Sequence, residues 1–168
     1  TGGLRLTLAL GASELDCALP LYGDFNVSNV MAVVAVLHGL GHDVASIGRA
    51  LAALTPVPGR MEPVVATAGP RVLVDYAHTP DGLEKALSAV RAHFAGRIWC
   101  VFGCGGNRDS GKRPQMAAIA ERLADKVVLT SDNPRDEDPA EILAQMMAGL
   151  AAPQAAMQII DRAQAVAD

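Results

Sequence analysis

The chain has 168 residues, with 14 Lys and Arg against 18 Asp and Glu, for a net charge of −4. That balance excludes a general electrostatic grip on nucleic acid, which needs a basic face. With 51% apolar and 19% charged residues the chain is not expected to be disordered, and with 4% aromatics its core must be built from Ala, Val, Leu and Ile.

The first strand is expected at Leu4 to Leu10, an alternating LRLTLAL. A second short strand follows at Leu15 to Leu21, then a turn at Gly23-Asp24-Phe25-Asn26. Asn26 or Ser28 is expected to cap an apolar helix running to about Leu40, ended by Gly39 and Gly41. Asp43 caps a further helix, Val44 to Leu54, with Ile47, Leu51 and Leu54 at helical spacing. The breaker cluster Thr55-Pro56-Val57-Pro58-Gly59 reads as a domain boundary, dividing the chain into 1–58 and 59–168.

Beyond it strands alternate with helices. Glu62 to Thr67 and Arg71 to Tyr76 read as strands joined in a hairpin at Ala68-Gly69-Pro70. Pro80 to Phe94 is a helix with Thr79 as its N-cap and Pro80 at the first helical position. Strands at Ile98 to Phe102 and Lys126 to Thr130 alternate with helices at Pro114 to Ala124 and Pro139 to Leu150. Asp138 and Glu141 have capping-box spacing, and Met157 to Ile160 is a last strand. Short apolar strands such as VLVDY, IWCVF and KVVLT suit an α/β fold, a mostly parallel, Rossmann-like sheet with helices on both faces. The opening Thr1-Gly2-Gly3 has no initiator Met, and the helical pattern of Asp161 to Asp168 stops without a cap. A piece of a longer protein is therefore expected.

No apolar run approaches the roughly 20 residues that span a bilayer, and no basic segment followed by an apolar one opens the chain. Three unevenly placed cysteines suit reduced thiols in the cytoplasm rather than a disulfide framework. Cys100 and Cys104 lack a second pair or a nearby His, so no metal site is expected. Cys100 belongs to a core strand.

Three polar clusters follow strands: Asp75 to Pro80, Gly103 to Pro114, and Thr130 to Arg135. In an open parallel sheet, ligands bind outside the carboxyl ends of the strands. His78 reads as a hydrogen-bonding turn residue, with no Ser or Cys at triad spacing. Gly106 to Lys112 spells the first seven positions of a P-loop, but Arg113 stands where a Ser or Thr hydroxyl is needed. The segment reads either as a glycine-rich βα turn with solvated charges or as an anion site, with glycines for close backbone approach, a helix N-terminus, and charge from Arg108, Lys112 and Arg113. In Asn133-Pro134-Arg135 the proline stiffens a loop that presents an amide and a guanidinium together, suited to an amino acid head group. Asp132 is placed to receive an ammonium. A plain turn with an exposed Arg is the alternative at this point.

Taken in order, these segments resemble one family. GDFNVSNVMAVVAV (Gly23 to Val36) and PVPGRME (Pro56 to Glu62) resemble the end of the Mur ligase central ATPase domain and its hinge. VDYAHTPDGLEKAL (Val74 to Leu87) resembles the opening of the Mur ligase C-terminal domain. FGCGGNRDSGKRPQM and TSDNPRDEDP are similar to the members that add meso-diaminopimelate to UDP-MurNAc-L-Ala-D-Glu. The resemblance implies an ATP-dependent, magnesium-requiring ligase of peptidoglycan synthesis. It joins an amino acid to the UDP-MurNAc-dipeptide through an acyl phosphate, as a cytoplasmic monomer without nucleic acid or membrane partners. It further implies that Arg108, Asp132, Asn133, Pro134 and Arg135 contact meso-diaminopimelate, and that Asn29, Arg60 and Asp75 contact the nucleotide. No catalytic residue or metal ligand is carried onto these 168 residues, and the piece is expected to be inactive alone. The alternative is a non-catalytic α/β module binding phosphate, a nucleotide or a free amino acid.

Overall fold

A computed structural model describes residues 3–64 and 69–167. The chain divides into two compact units, Thr1–Tyr76 and Ala77–Asp168.

In the first unit, β1 (Leu4–Leu10) and β2 (Ser13–Leu19) form an antiparallel hairpin. Helices α1 (Phe25–Gly39) and α2 (Val44–Ala52) follow. Leu4, Leu8 and Leu19 pack with Val30, Val34, Ile47 and Leu51 in one buried cluster. Asp43 caps α2 as expected, its side chain accepting from the Ser46 N–H. The α1 start differs: the helix begins at Phe25, and the Asn26 amide instead donates to the Tyr22 carbonyl.

The unit ends in a two-stranded antiparallel ribbon, β3 (Glu62–Val64) with β4 (Val72–Val74). The expected hairpin is present, while Val65 to Ala68 lie outside the described residues. VLVDY was expected as a core strand of the parallel sheet. Among the described residues it pairs only with β3, and Val72 and Val74 stay exposed. A short apolar run does not disclose its own pairing partner, which is set by distant chain.

The second unit is the α/β part. It comprises α3 (Pro80–His93), β5 (Trp99–Phe102), α4 (Lys112–Leu123), β6 (Lys126–Leu129), α5 (Pro139–Met147), β7 (Met157–Gln158) and α6 (Arg162–Ala167). The three strands are parallel in the order β5-β6-β7. Cys100, Val127 and Leu129 from one sheet face cluster with Leu83 and Leu87 of α3, Met116, Ala117 and Ala120 of α4, and Ile142, Leu143 and Met146 of α5. Trp99 and Val101, on the opposite face of β5, are 50% and 40% exposed, so the described residues cover that strand on one face only. Cys100 sits in the core, and burial pushes its thiol up to about 12. The Thr79 hydroxyl accepts from the Gly82 N–H, with Pro80 opening α3. Asp138 caps α5 through the Ala140 N–H, without the reciprocal Glu141 bond that its spacing suggested. Helix α4 starts two residues earlier than Pro114, which falls in its first turn where no intrahelical N–H is needed.

Candidate functional site: two loops at the carboxyl ends of β5 and β6

Parallel pairing of β5 and β6 sends both following loops to the same edge of the sheet. The loops, residues 103–111 and 130–138, are fastened to each other by a backbone–backbone bond and by side chains. The Gly106 N–H donates to the Asn133 carbonyl at 2.8 Å, and Arg135 Nη1 donates to the Gly106 carbonyl at 2.7 Å. A Cβ on Gly106 would stand 1.8 Å from the Pro134 carbonyl oxygen, and one on Gly103 would stand 2.3 Å from that of Thr130. Only glycine permits this approach. The Asn107 N–H donates to Glu137, and Asn107 Nδ2 donates to Asp136 at 2.9 Å.

Arg108 and Arg135 meet on this platform. Arg108 Cγ and Arg135 Nη1 lie 4.0 and 3.0 Å from the point a Gly105 Cβ would occupy. Both side chains are exposed. Arg135 has φ of 52°, a left-handed backbone uncommon outside glycine. It sits in a turn closed by the Glu137 N–H donating to the Pro134 carbonyl at 3.1 Å. Strained backbone of this kind gathers at ligand-binding sites. Among the described residues the Arg108 side chain makes no hydrogen bond or ion pair, and Arg135 bonds only to carbonyls.

The acids of both loops are occupied elsewhere. Asp109 accepts from the Gly111 N–H, Asp132 pairs with Arg162 Nη2 at 3.0 Å, and Asp136 holds Asn107. Glu137 pairs with Arg113, and Asp138 caps α5. Among the described residues neither arginine is therefore ion-paired, and both side chains are exposed. Exposed guanidinium groups have the planar, two-pronged donor geometry that matches a carboxylate.

Three expectations change. Arg113, expected to add charge to an anion site, is 1% exposed and buried against Glu137. Lys112 turns away, its Nζ donating to the His78 carbonyl at 2.8 Å. Asp132, expected to await an ammonium, already holds Arg162, which also donates to the Ser131 carbonyl. The exposed Asn133 amide makes no side-chain hydrogen bond among the described residues, and Pro134 packs beneath it against Gly106. Sequence reasoning passed over Arg162 and Glu137. Arg162 had no signal, standing 30 residues from its partner, whereas Glu137 was visible only as one of several acids after Arg135.

The residues expected at the nucleotide are partly gathered, all within the first unit. The Arg60 guanidinium lies 4.9 Å over the Tyr76 ring. The adjacent Asp75 Oδ2 accepts from the Met61 N–H at 2.9 Å, and Met61 has φ of 48°. Asn29 stands apart on α1, its amide donating to Asn26. Among the described residues no group of three or more His, Cys, Asp or Glu could hold a metal ion. No helix among the described residues is long and apolar enough to cross a membrane.

An α/β domain with an arginine platform at the carboxyl edge of its parallel strands is the class of protein these features define. The chain belongs to the Mur ligase family: residues 59–168 match the description "Mur ligase, glutamate ligase domain". It is 50% identical to the UDP-N-acetylmuramoyl-L-alanyl-D-glutamate–2,6-diaminopimelate ligase of Acidovorax sp. (strain JS42), over 98% of this chain and 34% of that protein. It is 55% identical to the protein of the same name from Vibrio parahaemolyticus, over 88% of this chain and 30% of the other. The chain thus spans about a third of the length of the curated relatives it matches. Among solved structures, a ligase of that name matches with a TM-score of 0.64 at 38% identity, over 96% of this chain and 33% of its own. A Mycobacterium tuberculosis folylpolyglutamate synthase complexed with ADP and AMPPCP matches with a TM-score of 0.77 at 26% identity, over 99% and 38%.

Proposed function

We propose that the whole protein is an ATP-dependent ligase that adds meso-diaminopimelate to UDP-MurNAc-L-Ala-D-Glu in peptidoglycan precursor synthesis. It would act as a cytoplasmic monomer on small-molecule substrates, and this part alone would be inactive. The observation that carries the reading is the exposed Arg108 and Arg135, neither of them ion-paired among the described residues, on a chain half identical to proteins named for that reaction. Residues 1–58 would end the central domain and 59–168 would form most of the C-terminal domain.

In this reading the distal carboxylate of diaminopimelate lies across Arg108 and Arg135. Asn133 offers its amide to the same head group, and Pro134 holds that loop rigid. Asp132, already oriented by Arg162, would exchange part of that ion pair for the substrate ammonium. ATP supplies the activation, converting the dipeptide carboxylate to an acyl phosphate as ADP leaves. The diaminopimelate amine then displaces phosphate and gives up a proton. Asn29, Arg60 and Asp75 would contact the nucleotide, Arg60 towards phosphate and Asp75 towards the ribose. Magnesium would be held by residues outside this chain.

Steady-state kinetics on the full-length protein test the reading. Arg135→Ala is expected to raise the diaminopimelate KM, with a loss of about 2–5 kcal/mol in transition-state binding. The ATP KM should barely move. Equal losses for both substrates would mean that Arg135 supports the fold rather than the ligand.

A further inference from the structure

Arg113 and Glu137 lie beside the arginine platform without a part in it. Arg113 is 1% exposed, and its two Nη atoms donate to the two Glu137 carboxylate oxygens at 2.7 and 2.9 Å. Nη1 also reaches Gln145 Oε1 at 2.7 Å, and Nη2 reaches the Gly105 carbonyl at 3.2 Å. Glu137 is held on the other side by the Asn107 N–H. Its carboxylate therefore sits one residue from Arg108 along one loop and two from Arg135 along the other.

That position is hazardous for a carboxylate-binding site. A free glutamate there would pair with either platform arginine and compete with any incoming carboxylate. Arg113 prevents this with a buried, two-pronged contact. The contact also holds the Glu137 carboxyl down to about 2, so this group is an anion at any working pH and must be matched. Asp136 also reaches Asn107, through the side-chain Nδ2 at 2.9 Å, but among the described residues only Glu137 of these neighbouring acids is paired with a buried guanidinium.

We propose that Arg113 is a specificity-determining positioning residue: it withholds Glu137 from Arg108 and Arg135, and so keeps the platform open to the substrate carboxylate. This rests on the diaminopimelate reading above.

The test is a double-mutant cycle on the full-length protein, with KM measured separately for meso-diaminopimelate, ATP and the UDP-MurNAc-dipeptide. Arg113→Met releases Glu137 and is expected to raise the diaminopimelate KM at least tenfold, with the other two within twofold. Adding Glu137→Gln removes the released charge but keeps an acceptor for the Asn107 N–H. The double variant should return to within about threefold of wild type, as apolar replacement of a buried pair is often tolerated. A merely structural role predicts a double variant no better than the single one, and that result would overturn the proposal. If Arg113→Met does not fold, Arg113→Lys keeps the charge but loses the fork, and the same recovery with Glu137→Gln is required. A wild-type protein that does not use meso-diaminopimelate sinks the underlying reading. Wild-type use with an unchanged KM in Arg113→Met sinks this inference alone.

Discussion

Gly106→Ala probes the joint between the two loops. Gly106 is not at positive φ, so backbone conformation is no obstacle to alanine. Space is the obstacle: the new methyl would stand 1.8 Å from the Pro134 carbonyl oxygen and 2.6 Å from its carbon, both backbone atoms that cannot swing aside. The loops must part by more than an ångström. That parting breaks the Gly106 N–H bond to Asn133 and the charge-assisted bond from Arg135. One neutral and one charge-assisted hydrogen bond together are worth about 2–4 kcal/mol. Urea unfolding followed by tryptophan fluorescence suits the measurement, because the single Trp of the chain, Trp99, lies on β5 in the same unit. Gly111→Ala is the control, since its methyl would meet only the Asp109 side chain at 3.2 Å, and it should cost less than about 1 kcal/mol. A Gly106→Ala midpoint indistinguishable from wild type would refute the backbone contact and, with it, the platform geometry.

Further outcomes are expected. Leu143→Ala, at a fully buried position among α3, α4 and α5 side chains, should lower unfolding stability by about 2–5 kcal/mol in the same assay. Thr79→Ala should cost about 1 kcal/mol by removing the α3 cap, and Thr79→Ser should restore most of it. Glu137 has its folded pKa lowered from 4.5 to about 2, so its stabilising contribution is present above about pH 4.5 and is lost as pH falls towards 2. A thermal melt series across that window should fall more steeply for wild type than for Glu137→Gln, and parallel curves would exclude the ion pair as the cause. Exchange of Arg108 for Ala in the full-length protein should weaken meso-diaminopimelate use while leaving the dipeptide KM unchanged in initial-rate assays.

Local rules read well from the sequence because their causes are local. Asp43, Thr79 and Asp138 each cap the helix they precede through an N–H two or three residues on. The β5-α4-β6 alternation follows from short apolar strands bounded by glycine and proline. Arg108 and Arg135 could be placed at one edge because parallel strands present their carboxyl ends together. Pairing across distance was invisible. β4 reads like β5 and β6, yet its partner is β3. Arg113 follows Lys112 in a basic run, yet one is buried and the other half-buried at a turn carbonyl, because α4 turns Arg113 towards Glu137, 24 residues away. The occupied state of Asp132 depended on Arg162, beyond the last strand.

At the joint between the loops three peptide groups take part: the Gly106 N–H, the Asn133 carbonyl and the Gly106 carbonyl. Peptide groups are the same whatever side chain stands on them. The exposed side chains at 108 and 133 can thus be exchanged without dismantling the frame that carries them. Position 135 is different, since its guanidinium itself spans the joint while the side chain stays exposed. A lineage changing its preferred amino acid could revise 108 and 133 singly, whereas a change at 135 would require a second substitution to close the gap left at Gly106. The backbone joint therefore divides the pocket into residues free to drift and one that must change in company.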